Sequence, residues 1–143
     1  GMMPAYEIIV VLRMPHTDAA GILFFGKLFE LADEAMEEAM ESCGISPGES
    51  LRRGTQVTPV VHAEGDYRRP MFLGSRLTAK VHIEAFGNTS LRWRIDFVEE
   101  GGDVAATVGL IQVLVSRKNG RKIALTQEIK EKLGPLLISA PGA

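Results

Sequence analysis

Asp18 is the residue whose surroundings most plainly suggest chemistry. It lies in the stretch Arg13-Met-Pro-His-Thr-Asp-Ala-Ala-Gly-Ile-Leu-Phe-Phe25, which brings one carboxylate up to the start of a strongly amphipathic helix. A carboxylate on a turn just before a helix, with the free backbone N–H groups of that helix pointing back toward it, pairs a base or nucleophile with a site for a developing oxyanion. That is the minimum equipment for acyl transfer. The plainer alternative is that Asp18 caps the helix or forms the turn, as most aspartates before helices do.

The elements that would position this carboxylate are legible in the periodicity. From Tyr6 to Arg13 the residues are β-branched and apolar apart from Glu7, which reads as a strand that Pro15 stops. Between Phe25 and Met40, apolar Leu28, Leu31, Ala32, Ala35, Met36, Ala39 and Met40 fall on one helical stripe, and Lys27 with a series of acidic residues takes the other side. Gly44 is placed to end this helix, and Ser46-Pro47-Gly48-Glu49-Ser50 reads as a break followed by a short helical turn. From Val57 to Ser116 the chain reads as antiparallel strands. Leu77, Ala79, Val81 and Ile83 alternate with polar residues, as do Leu91, Trp93, Ile95 and Phe97. Turns fall at Phe86-Gly87-Asn88, at Glu100-Gly101-Gly102-Asp103 and at Asn119-Gly120, so the strands are expected to be sequential neighbours. Val104 to Val115 is more apolar and suits a central strand. Thr126 and Glu128 can start a last helix that stops at Gly134-Pro135.

This order predicts an α+β domain over residues 2–143, with an antiparallel sheet of about five strands wrapped around one long helix; Gly1 ahead of Met2 reads as a remnant of tag removal. One helix covers only part of such a sheet and leaves an exposed edge, so a homo-oligomer built from a C2 dimer that continues the sheet is expected. Sixteen Lys plus Arg against eighteen Asp plus Glu give a net charge of -2, which argues against a nucleic-acid partner. The single Cys43, with no clustered metal-ligand motif, fits a reducing, cytoplasmic setting without a metal. No apolar run is long enough to span a membrane.

The string His16-Thr-Asp-Ala-Ala-Gly-Ile-Leu-Phe-Phe-Gly26 resembles the signature of the 4-hydroxybenzoyl-CoA thioesterase family of hotdog-fold enzymes. Pro59-Val-Val-His-Ala-Glu-Gly-Asp-Tyr-Arg-Arg-Pro70, Leu73-Gly-Ser-Arg-Leu77 and Gly87-Asn-Thr-Ser-Leu91 resemble later family segments in the same order. Within the family, Pro15 to Gly21 and Val61-His-Ala-Glu64 look most like the 1,4-dihydroxy-2-naphthoyl-CoA thioesterases. The common motif has Asp where this chain has His16. Many relatives that act on short acyl chains carry His where it has Phe25, and an aromatic residue there is similar to the branch acting on aromatic acyl-CoA.

The resemblance implies an acyl-CoA thioesterase that needs no cofactor, coenzyme A being part of the substrate. Asp18 would be the catalytic carboxylate, either attacking the thioester carbonyl or activating a water. The backbone N–H of Phe25 would stabilise the carbonyl oxygen, and Gly21 would let the backbone turn sharply and approach the ligand. Thr58, Asn88, Thr89 and Ser90 are candidates for the acyl or pantetheine path. Arg117 and Lys118, with Arg121 and Lys122, flank the Asn119-Gly120 turn and could receive CoA phosphates, although basic hairpin tips also serve solubility. His62, Glu64 and Asp66 share a strand face and suit an oligomer contact with Arg68 or Arg69 better than a second acid–base cluster. His16 reads as a turn residue. A thioesterase for short or medium acyl chains, and a non-catalytic acyl-CoA-binding protein on the same fold, are the competing functions. A homotetramer, as a dimer of dimers, is the expected assembly.

Overall fold

In the computed structural model, residues 6–138 are described; Gly1, the start at Met2 and the chain's last residues lie outside them. Five antiparallel strands form one sheet in the order β1-β4-β5-β6-β3, with β1 at Tyr6–Val11, β3 at Val60–Tyr67, β4 at Arg76–Phe86, β5 at Ser90–Glu99 and β6 at Val104–Val113. Two short strands, β2 at Gln56–Val57 and β7 at Val115–Ser116, pair beside it. The long helix α1 runs from Phe25 to Ser42, and α2 (Pro47–Arg53) and α3 (Gln127–Leu133) are single short helices.

The helical stripe is the one the apolar spacing predicts: Leu28, Leu31, Ala32, Ala35, Met36, Ala39 and Met40 are its buried residues. They meet the inward faces of β4 (Leu77, Ala79, Val81, Ile83) and β5 (Leu91, Trp93, Ile95, Phe97), all buried. Each large aliphatic or aromatic side chain buried in this way contributes about 1.5–3 kcal/mol. Buried Trp93 needs a partner for its indole N–H, and buried Gln112 on β6 supplies it. Trp93 Nε1 donates to Gln112 Oε1 at 2.9 Å, and Gln112 Nε2 donates to the Thr58 carbonyl at 3.1 Å. Gly44 lies just past the end of α1 at φ +83°, where a left-handed residue closes the last turn. Thr126 caps α3, its hydroxyl accepting from the Ile129 N–H at 3.2 Å.

One expectation about strand order does not hold. β4, β5 and β6 are successive neighbours, and β6 is interior as expected, but β3 crosses to the far side and pairs with β6 instead of β4. The reason is that β1 occupies the other edge of β4 in full register from Tyr6↔Val81 to Val11↔Arg76. The free edge left for β3 is that of β6. There all eight residues of β3 are exposed, and among the described residues no further strand pairs with its outer backbone edge.

Candidate active site

The segment before α1 is a small hairpin, held by the bridge Thr17↔Leu23 and by the Asp18 N–H donating to the Ile22 carbonyl at 2.8 Å. At its tip Gly21 adopts φ +76°, a left-handed conformation that an L-residue with a side chain adopts only at a cost. A Cβ there would sit 3.9 Å from Leu73 Cβ, so the need for glycine is conformational and not one of space.

The same tip fixes the carboxylate. Asp18 Oδ1 accepts from the N–H groups of Ala20 at 2.9 Å and Ile22 at 3.1 Å. Oδ2 carries no hydrogen bond among the described residues. The sequence suggested that the donors pointing at Asp18 would be those of the helix; the ones actually bonded to it belong to its own turn. One oxygen is therefore used to orient the group, and the other remains available to a substrate.

The hairpin then delivers the chain to the helix. The Phe24 N–H donates to the His16 carbonyl at 3.0 Å, and His16 Nδ1 accepts from the Arg13 N–H at 2.9 Å, which confirms His16 as a turn residue. Phe24 stands at the N-cap with no side-chain hydrogen bond to the first turn, and no acidic residue lies in that turn. The first N–H groups of α1 thus keep both their unpaired hydrogens and the positive end of the helix dipole for a ligand. Asp18 is bonded to Ile22, and the three residues from Ile22 to Phe25 span at most about 11 Å. Carboxylate and helix start share one small neighbourhood.

That neighbourhood is apolar and open. Phe24 is 49% and Phe25 63% exposed, with ring centroids 4.9 Å apart, and Phe72 at 51% is bridged to Ile22. Gly26 leaves room for this pair, since a Cβ there would meet Phe24 Cε1 at 3.0 Å. Sequence reasoning gave no role to Tyr67, yet its hydroxyl donates to the Phe25 carbonyl at 2.7 Å from the sheet edge. Burial raises the Tyr67 phenol pKa above its ordinary value. The available signal was its place on β3 two residues after Gly65, which puts both on one strand face.

The remaining candidates lie at the other end of the sheet. A cavity of ≈ 760 Å³ opens beside the C-terminal end of α1, and Thr58 lines it together with Met40, Leu114 and Leu125. The carbonyls of Asn88 and Thr89 accept from the N–H groups of Leu125 and Leu114, both 2.8–2.9 Å away, so this hairpin borders the same cavity. The Ser90 carbonyl closes that turn by accepting from the Gly87 N–H. Arg117 packs against Gly54 near the mouth, and the Lys118 N–H donates to Ser116 Oγ at 3.3 Å. From Phe25 to Met40 the helix rises about 22 Å. Within one chain, Asp18, Gly21 and Phe25 therefore come together at one end, and Thr58, Asn88, Thr89, Ser90, Arg117 and Lys118 gather at the opposite end.

His62 and Glu64 approach within 3.9 Å on exposed β3. Arg68 and Arg69 are engaged elsewhere in the chain, Arg68 with Thr107 at 2.8 Å and Arg69 with Asp103 and Glu99. Among the described residues no group of three or more His, Cys, Asp or Glu is placed to hold a metal ion, and no helix is long and apolar enough to cross a membrane.

The sequence and the fold can also be set beside known proteins. The model of the thioesterase superfamily matches residues 20–106, beginning just after Asp18. The 1,4-dihydroxy-2-naphthoyl-CoA hydrolase of Synechococcus elongatus is 31% identical over 92% of this chain and 96% of its own. The enzyme of that name from Prochlorococcus marinus is 31% identical over 83% of each chain. Among solved structures, a 1,4-dihydroxy-2-naphthoyl-CoA thioesterase from Synechocystis superposes with a TM-score of 0.85 at 21% identity, covering 91% of this chain and 96% of that one. A DHNA-CoA thioesterase from Staphylococcus aureus gives 0.82 at 17% identity, covering 94% and 99%. The wrapped helix, the sheet and the matched sequence together show that this chain belongs to the thioesterase superfamily and has its hotdog fold.

Proposed function

We propose that this protein hydrolyses an aromatic acyl-CoA of the 1,4-dihydroxy-2-naphthoyl or 4-hydroxybenzoyl type to the free acid and coenzyme A. The observation that carries the reading is the Asp18 carboxylate, clamped through Oδ1 and free at Oδ2, beside a helix start with no cap. A thioester carbonyl between the two would have its oxygen near the N–H of Phe25 and its carbon facing Oδ2. In one route Oδ2 attacks that carbon and the C–S bond breaks to release the CoA thiolate. Water then cleaves the resulting mixed anhydride and regenerates Asp18. In the other route Oδ2 takes a proton from water as the water adds to that carbon, and the tetrahedral intermediate then breaks its C–S bond, the CoA sulfur leaving with the proton that Asp18 returns. Both routes place negative charge on the carbonyl oxygen, where a backbone donor is worth about 3–4 kcal/mol of barrier. Neither route calls for a metal or a redox cofactor.

The naming of the relatives supports an aromatic acyl group, and the exposed rings of Phe24, Phe25 and Phe72 offer flat surfaces for one. The separation of the two clusters within a chain favours a C2 dimer through the bare edge of β3. Antiparallel pairing of two β3 strands would lay the Val60 end of one copy, with its Thr58 cavity, beside the Tyr67 and Phe25 end of the other. The acyl-CoA would then lie between Asp18 of one copy and the cavity of the second, with Arg117 and Lys118 near its phosphates. Two such dimers would make the tetramer, in the cytoplasm. Steady-state thiol release from 1,4-dihydroxy-2-naphthoyl-CoA, 4-hydroxybenzoyl-CoA and butyryl-CoA tests the proposal. A higher kcat/KM for an aromatic substrate is expected. A preference for butyryl-CoA overturns the aromatic assignment, and saturable binding without thiol release overturns hydrolysis.

A further inference from the structure

Resting on that reading, we propose that Tyr67 is a positioning residue for the oxyanion site: by donating to the Phe25 carbonyl it holds the first residue of α1 so that the N–H groups of Phe25 and Gly26 stay directed at the thioester. A helix start without a capping side chain has free donors and tends to fray. At this start Phe24 has no side-chain hydrogen bond to the turn, and its own N–H and carbonyl are spent on His16 and Lys27. Among the described residues, the tie that reaches the first helical residue from the sheet is Tyr67 Oη to the Phe25 carbonyl, 2.7 Å long and closing a separation of 42 residues.

β3 grips the helix at a second point one turn further on. Gly65 lies on the same strand face as Tyr67, and the ring of Phe29 rests on it so closely that a Cβ at Gly65 would meet Phe29 Cζ at 3.2 Å. Phe25 and Phe29 lie one helical turn apart, so β3 contacts α1 at two successive turns, at the Phe25 carbonyl and at the Phe29 ring. The Phe25 carbonyl belongs to the same peptide unit as the Gly26 N–H. A hydrogen bond accepted at that oxygen polarises the amide and makes its N–H a better donor. A phenol with an ordinary pKa of ~10, which partial burial raises further at Tyr67, stays protonated and able to donate across the ordinary pH range.

The test compares the wild-type protein with Tyr67→Phe, which keeps the ring and removes only the donor. A kcat lowered about five- to tenfold, with KM within about twofold and the oligomer unchanged, is expected from the loss of one hydrogen bond felt mainly in the transition state. A second variant keeps the bond but makes it titrate. The chain has two tyrosines, so fluorinated tyrosine incorporated in a Tyr6→Phe background labels position 67 alone. A heavily fluorinated, electron-poor ring is chosen so that the phenol pKa falls into the assay range even from a starting point that partial burial sets above the ordinary ~10. The neutral phenol donates and the phenolate cannot, so kcat should fall as pH rises through the new pKa, a limb absent from the unlabelled protein. Thiol release by the wild type that is undiminished in Tyr67→Phe, or a labelled enzyme without that limb, overturns the positioning role alone. No thiol release by the wild type overturns the hydrolase reading beneath it.

Discussion

Asp18→Asn and Asp18→Ala separate catalysis from turn formation, because the two oxygens of Asp18 have different surroundings. Oδ1 accepts two backbone N–H groups, and Oδ2 none. Asparagine keeps a carbonyl oxygen where Oδ1 stands, so the hairpin should close as before, while the anionic oxygen that attacks or takes a proton is gone. A fall of at least about a hundredfold in kcat/KM is expected, with the melting temperature essentially unchanged. Alanine removes both turn bonds as well. Loss of a comparable exposed capping interaction costs about 1–2 kcal/mol, which corresponds to about 3–8 °C in melting temperature for a chain of this size. The assays are thiol release from an aromatic acyl-CoA and thermal unfolding, run on the same preparations. If Asp18→Asn retains more than about a tenth of wild-type kcat/KM, Asp18 is a turn former and the catalytic reasoning is refuted. Activity losses that track the loss of stability across both variants would refute it equally.

Other consequences are as specific. Gly21→Ala should destabilise by about 1–2 kcal/mol in chemical denaturation, because φ +76° is costly for alanine although space for the methyl exists. Equal stability would show that the tip relaxes. Trp93→Phe should cost about 2–4 kcal/mol, combining lost ring volume with the stranded Gln112 Oε1, and Trp93→Phe together with Gln112→Met should recover part of that loss in a double-mutant cycle. Val61→Lys on the exposed edge of β3 should shift sedimentation to a smaller species and lower kcat/KM in parallel. Full activity in a monomeric variant would remove the need for a second copy.

What was legible in the sequence was what local periodicity controls. The stripe of α1 from Leu28 to Met40 was readable because its burial follows the helical repeat, and Thr126 and Gly44 were readable because caps act within one turn. The partner of β3 was not. Strand pairing across the sheet depends on which edges are already taken, and the occupation of the β4 edge by β1 is a fact of tertiary structure that no window of sequence carries. At the site, Asp18 and Gly21 were visible as a turn before a helix, but which of the two carboxylate oxygens is bonded depends on hydrogen bonds within the hairpin. Thr58 and Asn88 to Ser90 were picked for their polar groups. Their distance from Asp18 within a chain follows from the length and register of β5 and β6, which composition does not reveal. Tyr67 escaped notice because its partner, a helix carbonyl, has no sequence signature.

The most direct measurement is a crystal structure with a non-hydrolysable aromatic acyl-CoA analogue that keeps the carbonyl and replaces the sulfur linkage. The expected result is a carbonyl oxygen 2.7–3.1 Å from first-turn N–H groups of α1, with Asp18 Oδ2 facing the carbonyl carbon or a water beside it. A carbonyl held elsewhere, with no N–H of Phe25 or Gly26 in reach and Asp18 turned away from it, would contradict the proposed chemistry outright.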